Sequence, residues 1–391
     1  MSENYAGNLQ MQAIMQDLSL KMDSLMGFTS ATKLKCLSPI SRWLRFDLSN
    51  RRGLVLKENT SILKSNGDYF FTSQDLHIDF TSDNLQAGKD YFVNLSDDDQ
   101  ITCATEKLST GVTIGRFHTL CVDAGTMTMI APAEPSSGIV AGDSYLVKPY
   151  DPVDDPDFYQ LYNMTVSANA TNATHYDTIT MTHPLSGFVA GDILPESVFC
   201  LTFQPMASVD DAMVYDKTTG IAVDVYLQSG TGVNTRSAYN QTHTTNRRVQ
   251  NHLDDFKWVG KTFLNDFQFS SVALGSNSGT NIVGASDKTT VGGHTDTAGR
   301  RMISAIGCEE CCGYVSQWLA DLGPVGGSSW DITDGVGKFG KCYGSPFVLR
   351  AGGDFSTAAA NVGFRARLCN FGFGTTNVNS GARGCSQMKI C

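Results

Sequence analysis

The residues best suited to chemistry in this chain are its cysteines. Cys308, Cys311 and Cys312 stand close together, with Cys342, Cys369, Cys385 and Cys391 downstream. A structural zinc site draws on two matched Cys or Cys/His pairs, and one Cys-x-x-Cys does not supply them. A structural metal, disulfides and packed free thiols all stay open, with reduced thiols the default for a protein made in a cytoplasm. The run Asp151-Pro152-Val153-Asp154-Asp155-Pro156-Asp157 concentrates carboxylates but lacks the ligand spacing and central glycine of a calcium loop. It reads as an acidic, proline-stiffened linker. His243, His252 and His294 stand isolated in polar stretches and read as solvent-exposed. No Ser/His/Asp order, phosphate loop or paired-carboxylate signature appears, so the sequence points to no catalytic residue, no metal and no cofactor.

A different kind of chemistry is offered by the C-terminal stretch from Gly352-Gly353-Asp354-Phe355 to Gly381-Ala382-Arg383-Gly384-Cys385. It encloses Asn370-Phe371-Gly372-Phe373-Gly374-Thr375-Thr376-Asn377-Val378-Asn379, a run without hydrophobic periodicity. Amide and hydroxyl donors on a flexible backbone, with aromatic anchors between them, suit a displayed loop that grips another macromolecule.

The bulk composition agrees with that reading. The 391 residues are 41% hydrophobic and only 17% charged, enough for a sizeable core and two to four domains. With 29 Lys+Arg against 39 Asp+Glu the formal net charge is −10, which argues against nucleic acid as the main partner. No apolar run reaches the ~20 residues of a membrane helix and no signal peptide is visible, so membrane insertion is not expected.

The expected fold is mostly β. Residues 1–28 are read as an N-terminal helix and oligomer stem, because Met11, Met15, Leu18, Met22 and Leu25 follow coiled-coil spacing and Gly27 would end it. Residues 29–122 carry short alternating runs such as Trp43-Leu44-Arg45-Phe46, Leu76-His77-Ile78-Asp79-Phe80 and Tyr91-Phe92-Val93-Asn94-Leu95, which predict a β-sandwich. Residues 123–197 form a further β module in which Ser137 to Asp143 is echoed by Ser186 to Asp192. The last section, 198–391, opens with Phe199, Leu201 and Phe203 and includes the strand signal Ala222 to Leu227. It continues with a helix over 265–274 closed by Gly275, and with a long Gly/Ser/Thr stretch, 276–299, of the kind that is functional or disordered.

From Asp224-Val225-Tyr226-Leu227, through Phe269-Ser270-Ser271-Val272-Ala273-Leu274-Gly275 and Cys312-Gly313-Tyr314-Val315-Ser316-Gln317-Trp318, to Gly352-Gly353 and Gly381-Ala382-Arg383-Gly384-Cys385, the chain resembles a known family. It is similar to bacteriophage receptor-binding proteins of the major tropism determinant type, diversified by retroelements, with a C-type-lectin domain of the formylglycine-generating-enzyme-like kind. Where that family has Leu-Pro at the helix entrance, this chain has Phe263-Leu264-Asn265. The resemblance implies an α+β C-type-lectin-like domain at the C-terminus. It implies a non-enzymatic virion protein, a homotrimer joined to other virion proteins through its N-terminal part, that binds a protein or glycan receptor on the host cell. The implied contacts are Asp354, Ser356, Ala358, Asn361, Arg367, Asn370, Phe371, Phe373, Thr375, Asn377, Asn379 and Ser380, with Arg367 as a bidentate donor. Arg365 and Arg383 would be buried scaffold arginines. Two alternatives remain at this point, a head fibre or decoration protein and a formylglycine-generating-enzyme-like oxidase.

Overall fold

The computed structural model describes residues 43–125, 183–200, 211–284, 288–322, 348–371 and 374–387. It also gives the backbone of the strands at 127–132, 144–147, 162–166, 176–181, 331–333 and 338–341. The expected stem, the carboxylate run 151–157, Ser137 to Asp143, Cys342, Phe373 and Cys391 lie outside the described residues.

The alternating runs of the first section become strands β1 (Leu44–Phe46), β2 (Gly53–Leu56), β3 (Ser61–Leu63), β4 (Tyr69–Phe71), β5 (Leu76–Asp79), β6 (Asp90–Leu95), β7 (Ile101–Ala104) and β8 (Val112–His118). One antiparallel sheet has the order β1-β2-β5; in another, β6 lies between β7 and β8. Their inward residues, Leu44, Leu54, Leu56 and Ile78 against Val93, Leu95, Ile114 and Phe117, share one buried core. The Phe117 ring stacks between Phe80 at 5.7 Å and Tyr91 at 5.4 Å.

Beyond Gly125 the chain forms a separate antiparallel sheet of β9 (Met127–Pro132), β10 (Ser144–Val147), β11 (Tyr162–Val166) and β12 (Tyr176–Met181), in the order β10-β11-β12-β9. It then returns to the sandwich. β13 (Phe199–Cys200) pairs antiparallel with β8. The division expected at residue 198 is therefore corrected, because this strand completes the sandwich sheet. Strand alternation gives the reason: Val198 and Cys200 enter the sandwich core, while Phe199 points the other way, against Met213, Tyr215 and Ala222.

The C-terminal part is an α+β domain. Its strands and helices are β14 (Met213–Asp216), β15 (Ile221–Asp224), α1 (Val249–Trp258), β16 (Thr262–Phe263), α2 (Asp266–Val272), β17 (Ser316–Leu322), β18 (Asp331–Thr333), β19 (Lys338–Lys341), β20 (Val348–Gly352), β21 (Gly363–Leu368), β22 (Ser380–Gly381) and β23 (Gly384–Gln387). One sheet has the order β14-β15-β23-β16, so the last strand is inserted beside the first ones of the domain; the other runs β18-β19-β21-β20-β17-β22. α2 lies where the sequence predicts it. Asn265 starts it with a capping box, its side chain accepting from Gln268 N while the Gln268 side chain accepts from Asn265 N, and Gly275 follows in a left-handed conformation at φ +82°. α1 falls in a stretch read as polar loop. Its buried face is Val249, His252, Asp255 and Phe256, half of it polar, so no apolar period announces the helix.

Of the Gly/Ser/Thr stretch 276–299, residues 276–284 and 288–299 are described, and they are ordered. Ser276, Asn277, Ser278, Asn281 and Asp296 are buried, and hydrogen bonds hold them in place: Gly279 N to Val362 O, Asn281 Nδ2 to Thr357 O and Gly292 N to Glu310 Oε1. Polar residues here substitute for apolar packing by satisfying one another.

Two buried cations tie the domain together. Arg383 donates to Gln317 Oε1 (3.0 Å) and to the carbonyls of Asp224 (2.7 Å), Val225 (2.6 Å) and Glu309. Lys261 sits between Asp224 (2.6 Å) and Asp211 (2.9 Å) with all three side chains fully buried. Arg383 is thus a scaffold arginine as expected, whereas Arg365 is exposed, because it lies on the outward face of β21.

Candidate binding site

The site begins with β20, whose centre is Arg350 between Leu349 and Ala351, all three buried. Gly352 and Gly353 follow at φ +89° and +75°, and a side chain at Gly352 would run into the Cys311 carbonyl. This turn delivers Asp354 to a bridge with Tyr314 and starts the loop that leads to β21. Asp354 is a buried turn former: Oδ1 accepts from Ser356 N (2.9 Å) and Ser356 Oγ (2.7 Å), and Oδ2 accepts from Ser316 Oγ (3.1 Å).

A second loop, after β21, faces the first. Asn370 Oδ1 accepts from Arg350 Nη2 at 2.6 Å, and Phe371 lies with its ring 4.0 Å from the Arg350 guanidinium carbon. Asn377 folds the loop back, its Oδ1 accepting from Asn379 N at 2.6 Å, and Asn379 Nδ2 reaches the first loop at Ser356 Oγ, 2.7 Å away. Ser380 Oγ takes Arg350 Nη1 at 2.5 Å. Arg350 and the Asn379–Ser356 bond thus clamp both loops from below and above.

Between the loops is a cavity of about 320 Å³ lined by Arg350, Asp354, Ser356, Thr357, Ala358, Asn361, Leu368, Asn370, Phe371, Asn377 and Asn379. Eight of the twelve residues singled out from the sequence lie on it: Asp354, Ser356, Ala358, Asn361, Asn370, Phe371, Asn377 and Asn379. Asn370, Phe371 and Thr375 are half-buried rather than interior, and Thr375 stands off the cavity. Phe373 is outside the described residues.

Two of the twelve are turned away from the cavity. Arg367 spends its guanidinium on α2 and its own strand, pairing with Asp266 and donating to Ser270 Oγ, Phe364 O and Ala366 O, over the Phe269 ring. Its role is to staple β21 to α2. Ser380 is wholly buried on β22 beneath Arg350. Sequence reasoning missed Arg350, Thr357 and Leu368; a lone charge within Val348-Leu349-Arg350-Ala351 was the available signal for the first.

The cysteines form no comparable site. Cys308, Cys311, Cys312, Cys369 and Cys385 are buried free thiols, and among the described residues no three His, Cys, Asp or Glu side chains converge as metal ligands. Burial pushes Cys308 and Cys312 up, and Cys385 up to about 12. The histidines expected in solvent are also corrected. His252 is fully buried, bonded to Gln228; His243 is buried with its ring 5.2 Å from Tyr314; His294 is half-buried against Glu310. Each is held by a partner from a distant segment that no local pattern reveals.

Neither a protein-family model nor a curated protein matches the sequence. Solved structures do match. The Major Tropism Determinant U1 variant superposes with a TM-score of 0.60 at 20% identity, covering 90% of this chain and 85% of that one. The chain has the major tropism determinant fold. The I1 and P3c variants agree, at TM-scores of 0.59 and 0.60 and 19% identity, each covering 89% of this chain and 84% of theirs. At that coverage the superposition extends over both the sandwich and the α+β domain.

Proposed function

We propose that this protein is the receptor-binding protein of a bacteriophage particle, recognising a host-cell surface molecule through the paired loops around Arg350 without catalysing a reaction. One observation carries the reading: residues scattered from 354 to 379 line a single polar cavity on a rigid two-sheet scaffold. That arrangement suits recognition, in which loops vary while the support stays folded. The shared fold supports it further, since the similar structures are named as determinants of tropism. The finer reading is a homotrimer attached to the virion through the N-terminal segment, so that weak single contacts add up to avidity.

The test is adsorption of the purified protein to the bacterium that supports the phage. Ala358 is exposed at the cavity wall, so Ala358→Arg fills the site without touching the core. Adsorption is expected to fall about tenfold or more with an unchanged melting temperature. Equal adsorption by parent and variant would remove the loops from receptor contact and favour a purely structural virion protein.

A further inference from the structure

The cavity has a deeply buried cation in its wall. Arg350 is 1% exposed, yet among the described residues no carboxylate lies within ion-pair distance of it. Of its five N–H groups, Nη1 is used by Ser380 and Nη2 by Asn370, and both partners are neutral. Nε has no partner. Other deeply buried cations are provided for: Lys261 touches two aspartates, Arg301 touches Glu309, and Arg383 has four acceptors. Asp354 lies in the same wall and its charge acts on Arg350 from a distance, but its oxygens accept from Ser316 and Ser356 rather than from the guanidinium. Burial lowers the Arg350 guanidinium to about 10, which leaves it charged at neutral pH. A buried charge without a counter-charge in contact is costly to keep, and a ligand carboxylate would supply one.

The remaining walls narrow the choice. Ser356, Thr357, Asn361, Asn370, Asn377 and Asn379 present hydroxyls and amides, which both donate and accept, while Leu368 and Phe371 add an apolar strip. A volume of about 320 Å³ is at the small end of ligand pockets, suited to a single ring.

We propose that the cavity takes one acidic sugar of the host surface, its carboxylate set against the Arg350 guanidinium and its hydroxyls against the amide walls. A sugar acid meets both features of the site. An aspartate or glutamate side chain from a protein would satisfy the guanidinium but brings only one backbone donor and one acceptor per residue to the amide walls, where a sugar ring brings several hydroxyls that do both. The proposal rests on reading these loops as the receptor-contacting surface and adds the class of ligand.

Saturation-transfer NMR on the full-length protein tests it, with glucuronate, galacturonate and N-acetylneuraminate as acidic probes, glucose and galactose as neutral ones, and N-acetylglutamate as the acidic non-sugar. At least one acidic sugar is expected to bind, with the neutral sugars about tenfold weaker or silent. Asn377→Asp keeps the acceptor that holds Asn379 N but adds a negative charge to the wall, and it should weaken the acidic sugar about fivefold or more at unchanged melting temperature. Arg350→Lys, which retains charge but not the planar fork, should also weaken it. Failure of all three acidic sugars to bind, equal binding of neutral sugars, indifference to Asn377→Asp, or binding of N-acetylglutamate alone would overturn the proposal. Because no cells are involved, such a failure leaves the adsorption result for Ala358→Arg standing, whereas loss of the receptor-binding reading would show in adsorption first.

Discussion

His252 is held neutral inside α1, where its Nδ1–H donates to Gln228 Oε1 at 2.6 Å. His183 is neutral as well, with Nδ1 accepting from Leu185 N (3.0 Å) and Nε2–H donating to Ser304 O (3.1 Å). Burial lowers His252 to about 3 and His183 to about 4, from 6.5. On acidification the unfolded chain therefore takes up protons first. The stability these residues contribute is fully present above pH 6.5 and is lost as pH falls toward 4 and then 3, by about 3 kcal/mol for His183 and about 5 kcal/mol for His252. Urea unfolding at pH 7 and pH 4.5 should show the drop, and His252→Gln should flatten the dependence. Arg383 makes a second residue-scale prediction. Replacing it with Met takes a donor from the carbonyls of Asp224, Val225 and Glu309 and from Gln317 Oε1, and should cost about 3–5 kcal/mol in the same assay.

At the scale of elements, the site depends on how β20 ends and how α2 begins. Gly352 turns β20 into the first loop in a left-handed conformation with no space for a side chain. Gly352→Ala is expected to destabilise the fold by about 2–4 kcal/mol and to abolish ligand binding with it. α2 supports the site from outside, through Arg367 on β21. Asn265→Ala removes its capping box and should cost about 1 kcal/mol, leaving adsorption intact at temperatures well below melting. A larger loss of adsorption than of stability would show that the Arg367 staple sets the loop positions.

Across the whole molecule, the sandwich and the α+β domain share a core. Leu120, Cys121, Leu185 and Leu194 pack among Val225, Tyr226 and Ile303, and His118 Nε2 lies 2.9 Å from the Tyr226 hydroxyl. β13 closes one domain with one face and seals the other with its opposite face. A fragment comprising residues 211–391 would expose that shared apolar surface, so it is expected to be insoluble or to lack a cooperative melt. The intact chain should melt without an isolated α+β transition, which differential scanning calorimetry checks directly.

Much of this architecture is written locally. Alternating apolar residues specify the sandwich strands, the Asn265-to-Gly275 signals delimit α2, and glycine pairs with amide-rich runs mark 352–385 as loops on a scaffold. These features were legible because strand alternation, capping and turns depend on neighbours a few residues apart. Tertiary contact alone decided that Arg350 would lie beneath the cavity, that Arg367 would fold onto α2 and Ser380 turn inward, that His243 and His252 would be buried, and that Phe199–Cys200 would rejoin the sandwich. In each case the deciding partner is far along the chain: Ser380 is 30 residues from Arg350, Asp266 is 101 from Arg367, and β8 lies on the other side of an inserted sheet from β13. Burial and pairing are set by which distant segments meet, and that depends on the packing of both domains at once.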